Sequence, residues 1–156
     1  MQDTTEMLIY EMSLRVRLYI ASKELERRVE DLTERESLLI ELLGLKKEMS
    51  ISEIGRLYAS VSNSTISTTI TKLWKDKKLV DKKILPENQR ITVVSLTEKG
   101  KAVLEEIKKR QSVVFKTVAK SLGLSQEENI YFREILENAI RFFDDSLHLK
   151  QDDQAG

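Results

Sequence analysis

The sequence contains no cysteine among its 156 residues, only one proline and only five glycines. The absence of cysteine excludes disulfides, cysteine-based zinc sites and thiol redox chemistry. The scarcity of proline and glycine, together with 33% charged residues, favours a helical, extended architecture over a sheet-rich one. Hydrophobic residues make up 40%, so the chain can form one domain, or a small module plus helices that pair it with a second copy.

Signals for export and membrane insertion are also missing. The first six residues are polar and contain no basic region followed by an apolar stretch, so no signal peptide is predicted. No apolar run approaches the roughly 18 residues that suggest a membrane span. We therefore expect a cytoplasmic protein with no membrane partner.

The formal net charge is zero, but the charges are unevenly distributed. Residues 62–92 carry seven basic and three acidic side chains, a net charge of +4, whereas the remainder carries 19 basic and 23 acidic ones, a net charge of −4. A local basic patch on a neutral chain is what contact with nucleic-acid phosphates requires. A solvated charged face is the alternative interpretation of the same cluster.

The N-terminal pattern predicts one long helix over residues 3–31, because Leu18, Leu25 and Val29 recur at helical spacings. At about 1.5 Å per residue, such a helix is too long to be buried by one small globule. A second helix is predicted to start at the capping box Thr33-Glu34-Arg35-Glu36. Gly44 suits the left-handed position that ends this helix. Its predicted inward residues are Leu38, Leu39, Leu42 and Leu43.

A second capping box, Ser50-Ile51-Ser52-Glu53, predicts a short helix. The following segment, 60–71, is rich in Ser and Thr, which suits a strand or a loop by propensity. However, Ile66, Ile70 and Leu73 fall at i, i+4 and i+7, which favours a helix capped by Ser62. The opposite face of that helix would present hydroxyl groups and Lys72.

The remaining sequence predicts a β-hairpin followed by two helices. Extended runs at 79–80 and 91–96 flank the polar tip 86–90, which indicates a hairpin with a long loop. A helix that starts after Thr97 and ends at Gly123 follows, and Ser125 caps a last helix. Residues 151–156 are predicted to be a disordered tail.

Two helices followed by a hairpin with a basic tip are the elements of a winged helix-turn-helix, whose second helix enters the DNA major groove. Hydroxyl groups can contact base edges there, and lysines can anchor phosphates. An arginine at the hairpin tip gains from the negative potential of a narrow minor groove. The candidate DNA-binding residues are Ser62, Asn63, Ser64, Thr65, Thr68, Thr69, Lys72, Lys75, Lys82, Lys83, Asn88, Gln89 and Arg90.

Five motifs, in this order and spacing, resemble the MarR family of bacterial winged-helix regulators over nearly the whole chain. The motifs are Leu32-Thr33; Ser64-Thr65-Ile66-Ser67; Leu73 with Leu79-Val80; Asn88-Gln89-Arg90; and Leu96-Thr97-Glu98-Lys99-Gly100. The resemblance implies a mainly α fold with a small β-wing. A winged helix-turn-helix DNA-binding domain would occupy residues 32–100, and residues 1–31 and 101–150 would form a helical dimerisation region.

The resemblance also implies a homodimer in which the first and last helices interlock and two recognition helices read a pseudo-palindromic operator on double-stranded DNA. Many members of the family are repressors that bind a small phenolic or anionic effector between the two regions and then lose DNA affinity. Three positions depart from the family pattern. Asn88 stands in place of an acidic residue, Lys78 in place of a glycine, and Thr68 where arginine is common.

Two other classes of function were weighed. The sequence contains no nucleophile–base constellation, metal-ligand spacing or glycine-rich phosphate loop, so neither an enzyme nor a cofactor or metal site is predicted. A winged helix used for protein contact, with its DNA face unused, is the alternative that the uncharged recognition helix leaves open. Trp74 could stack on the wing or on a ligand, or pack at the edge of the core.

Overall fold

A computed structural model describes residues 3–29 and 31–150. The helices in these ranges are α1 (Thr5–Ser22), α2 (Glu24–Arg27), α3 (Glu34–Lys46), α4 (Ile51–Leu57), α5 (Asn63–Lys75), α6 (Glu98–Ser121) and α7 (Gln126–Ser146). The strands are β1 (Glu48–Ser50), β2 (Val80–Leu85) and β3 (Asn88–Leu96). The predicted mainly α fold with a small β-wing is therefore confirmed. The predicted tail, 151–156, lies outside the described residues, as do residues 1 and 2 of the first helical region.

The prediction of one helix over residues 3–31 is wrong. Helix α1 ends at Ser22, the short α2 ends at Arg27, and the next residue is extended. The Arg27 guanidinium bridges the break, because its Nε donates to the Ile20 carbonyl at 3.1 Å. The break turns Val29 and Leu32 into the core, and burying such side chains stabilises the fold by about 1.5–3 kcal/mol each.

Helix α3 begins as predicted at Thr33, whose hydroxyl accepts from the Glu36 amide at 3.2 Å. The other half of the expected capping box is absent. The Glu36 side chain is 3% exposed and accepts instead from Lys77 Nζ at 2.5 Å. This ion pair ties the first turn of α3 to the segment that follows α5.

The inward face of α3 differs from the prediction because Ile40 is fully buried whereas Leu38 is exposed. The helix also does not end at Gly44. It continues to Lys46, and Lys47 ends it with a positive φ of 63°. Gly44 instead allows close approach of α6, since a Cβ there would lie 2.4 Å from a Leu104 methyl.

The three strands form an antiparallel sheet in the order β1-β3-β2. The sequence did not indicate β1, which spans three residues between two helices. The predicted long loop at the hairpin tip is also wrong. Asn88 pairs with Leu85, so only Pro86 and Glu87 form the turn.

The start of α6 packs tightly on the turn that joins α5 to the wing. Lys78 adopts φ 58° in this turn, which is the left-handed conformation that a glycine would favour. Its carbonyl accepts from the Thr97 hydroxyl at 2.8 Å. A Cβ on Gly100 would lie 2.1 Å from the Leu79 carbonyl, so this position tolerates no side chain. Helix α6 is thereby fixed to the base of the wing.

The core lies between α3, α4, α5, the sheet and the first half of α6. Its fully buried side chains include Ile40, Ile54, Ile70, Leu73 and Val94. Helices α1 and α7, both described along their whole length, bury no residue. The capping box predicted at Ser50 is confirmed at the start of α4, and the predicted cap Ser125 begins α7, where it forms a capping box with Glu128.

Candidate nucleic-acid interface

Helix α5 presents one apolar face to the core and one polar face outward. The Ser62 hydroxyl caps it by accepting from the Thr65 amide at 3.2 Å, as predicted. Ile66, Ile70 and Leu73 are at most 1% exposed. Because these three residues fix the rotation of the helix, the residues on the opposite side must face solvent.

The outermost line of α5 consists of Ser64, Thr68 and Lys72, which we call the crest. All three residues are exposed, whereas Thr65 and Thr69 are half-buried on the side facing α3. Thr68 and Lys72 stand between two open grooves and line both of them. The crest is therefore the part of the helix that an approaching surface meets first.

The groove between α5 and the start of α3 adds a residue that sequence reasoning missed. Arg35 lines it together with Thr33 and the crest, is exposed, and forms no ion pair with any described residue. Its charge lies outside the basic segment 62–92, so the charge count gave no sign of it. Only the packing of α3 beside α5 brings this guanidinium to the crest.

The wing carries the second group of predicted site residues. Arg90 is exposed, and its amide donates to Asn88 Oδ1 at 3.1 Å, so the asparagine supports the backbone at the tip. Arg90 also lines a groove with Asn63 from the first turn of α5. The structure therefore brings the wing and α5 to a common groove. Gln89 is exposed beside them.

The predicted lysines do not all share one surface. Lys82 Nζ lies 5.0 Å from the centre of the Trp74 ring and Lys75 Nζ lies 5.6 Å from it, so both flank α5. Lys83 is next to Lys82 on β2, and successive strand residues point to opposite faces. Trp74 thus contacts the wing, one of its predicted alternatives.

The positive charge of the region is lower than its composition indicates. Lys77 is 15% exposed and is held by Glu36 and by the Asp31 carbonyl, so it is not available to an external phosphate. The exposed cations around α5 and the wing include Arg35, Lys72, Lys75, Lys78, Lys83 and Arg90. Such a surface suits a polyanion that is contacted at several separate points.

No cluster of His, Asp or Glu within 3–29 and 31–150 is arranged to hold a metal ion. Among the same residues, none of the helices is long and apolar enough to cross a bilayer.

Comparison with known proteins identifies a winged-helix domain within the chain. The family model described as "Winged helix DNA-binding domain" matches residues 32–100. The match is to a DNA-binding family, which agrees with the prediction that the chain is not an enzyme. No curated protein shows significant sequence similarity to the chain.

Solved structures share the fold of the whole chain. A mutant of MarR from E. coli superposes with a TM-score of 0.66 at 17% identity, covering 90% of this chain and 98% of that one. FabT from Streptococcus pneumoniae, solved in complex with DNA, gives 0.62 at 19% identity, covering 92% and 99%. BpsR from Bordetella bronchiseptica gives 0.55 at 21% identity, covering 85% and 95%. The predicted resemblance to the MarR family is confirmed in the fold, and the chain is a winged-helix protein with a MarR-like architecture.

Proposed function

We propose that the chain is a homodimeric regulator that binds double-stranded DNA in a sequence-specific manner and represses transcription. The observation that carries this proposal is the exposed crest of α5, flanked by two open grooves and by the basic wing. In a helix-turn-helix, the second helix enters the major groove, and an exposed line of small polar side chains suits that role. The DNA complex of FabT, which has the same fold, supports the choice of partner.

The contacts divide by chemistry. Ser64, Thr65 and Thr68, in the first half of α5, would meet base edges. Lys72, Lys75 and Lys82 would meet phosphates, which fix position without reading sequence. Arg90 would enter the neighbouring minor groove, where the potential is most negative when the groove is narrow.

The second copy in the proposed dimer would cover the terminal helices. Helix α7 exposes Ile135, Ile140, Phe142 and Phe143 by 57–65%, and α1 exposes Leu8, Ile9 and Tyr10 by 53–64%. Apolar surface of this extent on a monomer marks an interaction site. Two identical chains related by a two-fold axis would cover both helices and set two recognition helices on a pseudo-palindrome.

An effector site fits the cavity between the end of α7 and α4. This open cavity has a volume of 410 Å³ and is lined by Lys46, Arg56 and His148 beside the apolar Met49 and Leu57. Lys46 already pairs with Glu53 at 3.3 Å, which leaves Arg56 and His148 for a ligand anion. We propose a small aromatic carboxylate or phenolate as the ligand. The regulation of DNA binding by 6-hydroxynicotinic acid, described for BpsR, supports this chemical class.

The effector proposal is tested by thermal unfolding with a panel of aromatic acids. A binder should raise the melting temperature of the wild type and of Arg35→Ala, but not that of Arg56→Ala. An equal shift in both variants would remove the cavity from the proposal.

DNA binding is tested by titrating the purified protein against its own upstream region and against random DNA at several salt concentrations. We expect binding at least about 10³-fold tighter on one fragment, with affinity that falls steeply with salt because counterions are released. A reporter fused to that fragment should be more active when the protein is absent. Weak, equal and salt-insensitive binding would instead favour the protein-contact alternative, which the absence of arginine from α5 keeps open.

The wing is tested by Arg90→Ala. The variant should bind every sequence more weakly, and the slope of log affinity against log salt should fall by about 1, because one cation that displaces counterions from the DNA is lost. The oligomeric state should not change. Unaltered affinity would remove the wing from the mechanism.

A further inference from the structure

The crest contains a hydroxyl group whose proton already forms a hydrogen bond within the helix. Thr68 Oγ1 donates to the Ser64 carbonyl one helical turn earlier, at 2.8 Å. A hydroxyl has a single proton, so this oxygen can only accept a further hydrogen bond. Thr68 is nevertheless exposed. It therefore offers an approaching surface two features, an acceptor oxygen and a methyl group.

These two features are selective among base pairs. In the major groove, guanine presents two acceptors, N7 and O6, which an acceptor oxygen cannot satisfy. Adenine presents the N6 amino group as a donor, and its partner thymine presents a methyl group. An A·T pair therefore matches both the oxygen and the methyl group of Thr68. A G·C pair matches the oxygen only, through cytosine N4, and presents no methyl group.

The rest of the crest does not restore a guanine reader. Helix α5 contains no arginine, the side chain that most often reads guanine. Lys72 lies a full turn beyond Thr68, near Lys75 and the end of the helix, whereas base contacts come from the N-terminal part of a recognition helix. Lys72 is thus placed for the backbone.

We propose that Thr68 makes this chain a reader of A·T pairs, with its hydroxyl oxygen accepting from adenine N6 and its methyl group packing on the thymine methyl. The inference rests on the proposed DNA-binding function. It assigns one base pair of each half-site, which the general proposal leaves open.

The test begins with selection of binding sites from random duplexes by the full-length protein. The selected half-site should contain an A·T pair that becomes degenerate when Thr68→Ala is used in the same selection. Thr68→Arg, which supplies two donors, should instead select guanine there. Because Thr68 is exposed, its substitution should not unfold the protein, and thermal unfolding of each variant checks this.

Single-group changes in the DNA then separate the two contacts. Replacing adenine by purine removes the N6 donor, and replacing thymine by uracil removes the methyl group. Each change should weaken wild-type binding by about two- to tenfold, the range of one net hydrogen bond or small apolar contact. Thr68→Val, which keeps methyl groups but no acceptor, should respond only to uracil. Thr68→Ser, which keeps the oxygen, should respond only to purine.

Thr69→Val is the matched control. Thr69 makes the same backbone hydrogen bond, to the Thr65 carbonyl at 2.9 Å, but is half-buried toward α3. Its variant should keep the wild-type response to both DNA changes, whatever its overall affinity for DNA. If the selected sites contain guanine at the position that becomes degenerate in Thr68→Ala, the A·T inference is overturned but the proposed regulatory function stands. A selection without any consensus would overturn the proposed function itself.

Discussion

The winged-helix body and the terminal helices of this chain differ in the burial of their apolar residues. In the body, leucines and isoleucines from α3 to α6 bury one another until several are fully shielded from solvent. Helices α1 and α7 are equally rich in such residues, yet bury none of them. The difference indicates two sources of stability. The body is stabilised by contacts within one chain, whereas the terminal helices would be stabilised by the second chain of the proposed dimer, so their stability should depend on concentration.

The largest effect is expected from a cavity in the body. Leu73 is fully buried beside the other core residues of α5, and Leu73→Ala should lower the free energy of unfolding by roughly 2–5 kcal/mol. Chemical denaturation followed by circular dichroism measures this loss. The loss should be the same at all protein concentrations. If the loss in free energy of unfolding became smaller at higher protein concentration, the body and the terminal helices would not have separate sources of stability.

A smaller effect on folding, but a decisive one on assembly, is expected from a charge on α7. Ile135→Glu should split the proposed dimer, because a carboxylate would be buried at an apolar interface. Sedimentation should then show half the wild-type mass. Ile84→Glu on the wing is the control, since both isoleucines are 61% exposed in the single chain. If both variants keep the wild-type mass, α7 is not the interface.

The smallest effect is expected within the body, where α3 packs against α6. Burial raises the pKa of Glu41 on α3, although a hydrogen bond from Gln111 on α6 and the charge of Arg27 oppose the rise. The folded state therefore disfavours the ionised form, so the free energy of unfolding should fall as pH rises from the ordinary carboxyl pKa through the raised one. Glu41→Gln should remove this decline and stabilise the protein at neutral pH by about 0.5 kcal/mol.

Glu106→Gln is the opposite case. A hydrogen bond from Arg110 lowers the pKa of the Glu106 carboxyl, so its ionised form is favoured in the folded state. Its contribution is present above the ordinary pKa and is lost as pH falls. This variant should therefore show no gain at neutral pH. A gain in both variants would mean that the removal of any carboxylate stabilises the protein.

Local patterns predicted the elements whose causes are local. The three apolar residues of α5 and the hydroxyl of Ser62 lie within twelve positions, and together they set the bounds and rotation of that helix. Contacts between distant residues were not predictable. Glu36 and Lys77 are 41 positions apart, and their pairing replaced the second half of an expected capping box. The break after Ser22 likewise depends on core positions for Val29 and Leu32 that helical periodicity alone cannot reveal.

The candidate site divides in the same way. Periodicity placed Ser64, Thr68 and Lys72 on one exposed line because their spacing on α5 is fixed by the helix itself. Arg35 was missed because only the packing of α3 against α5 brings it to the crest. The number of basic residues in 62–92 overstated the positive charge available to a ligand. One of them, Lys77, is largely buried in an ion pair with the distant Glu36.

The position of Trp74 gives the protein an internal optical reporter. It is the one tryptophan in the chain, and its ring, 38% exposed, lies between the ammonium groups of Lys75 on α5 and Lys82 on the wing. When phosphates draw those lysines away, the indole loses two neighbouring charges. The wavelength and intensity of its fluorescence emission should then change. The intrinsic fluorescence of the unlabelled protein would thus report binding at α5 at millisecond resolution, without an added dye.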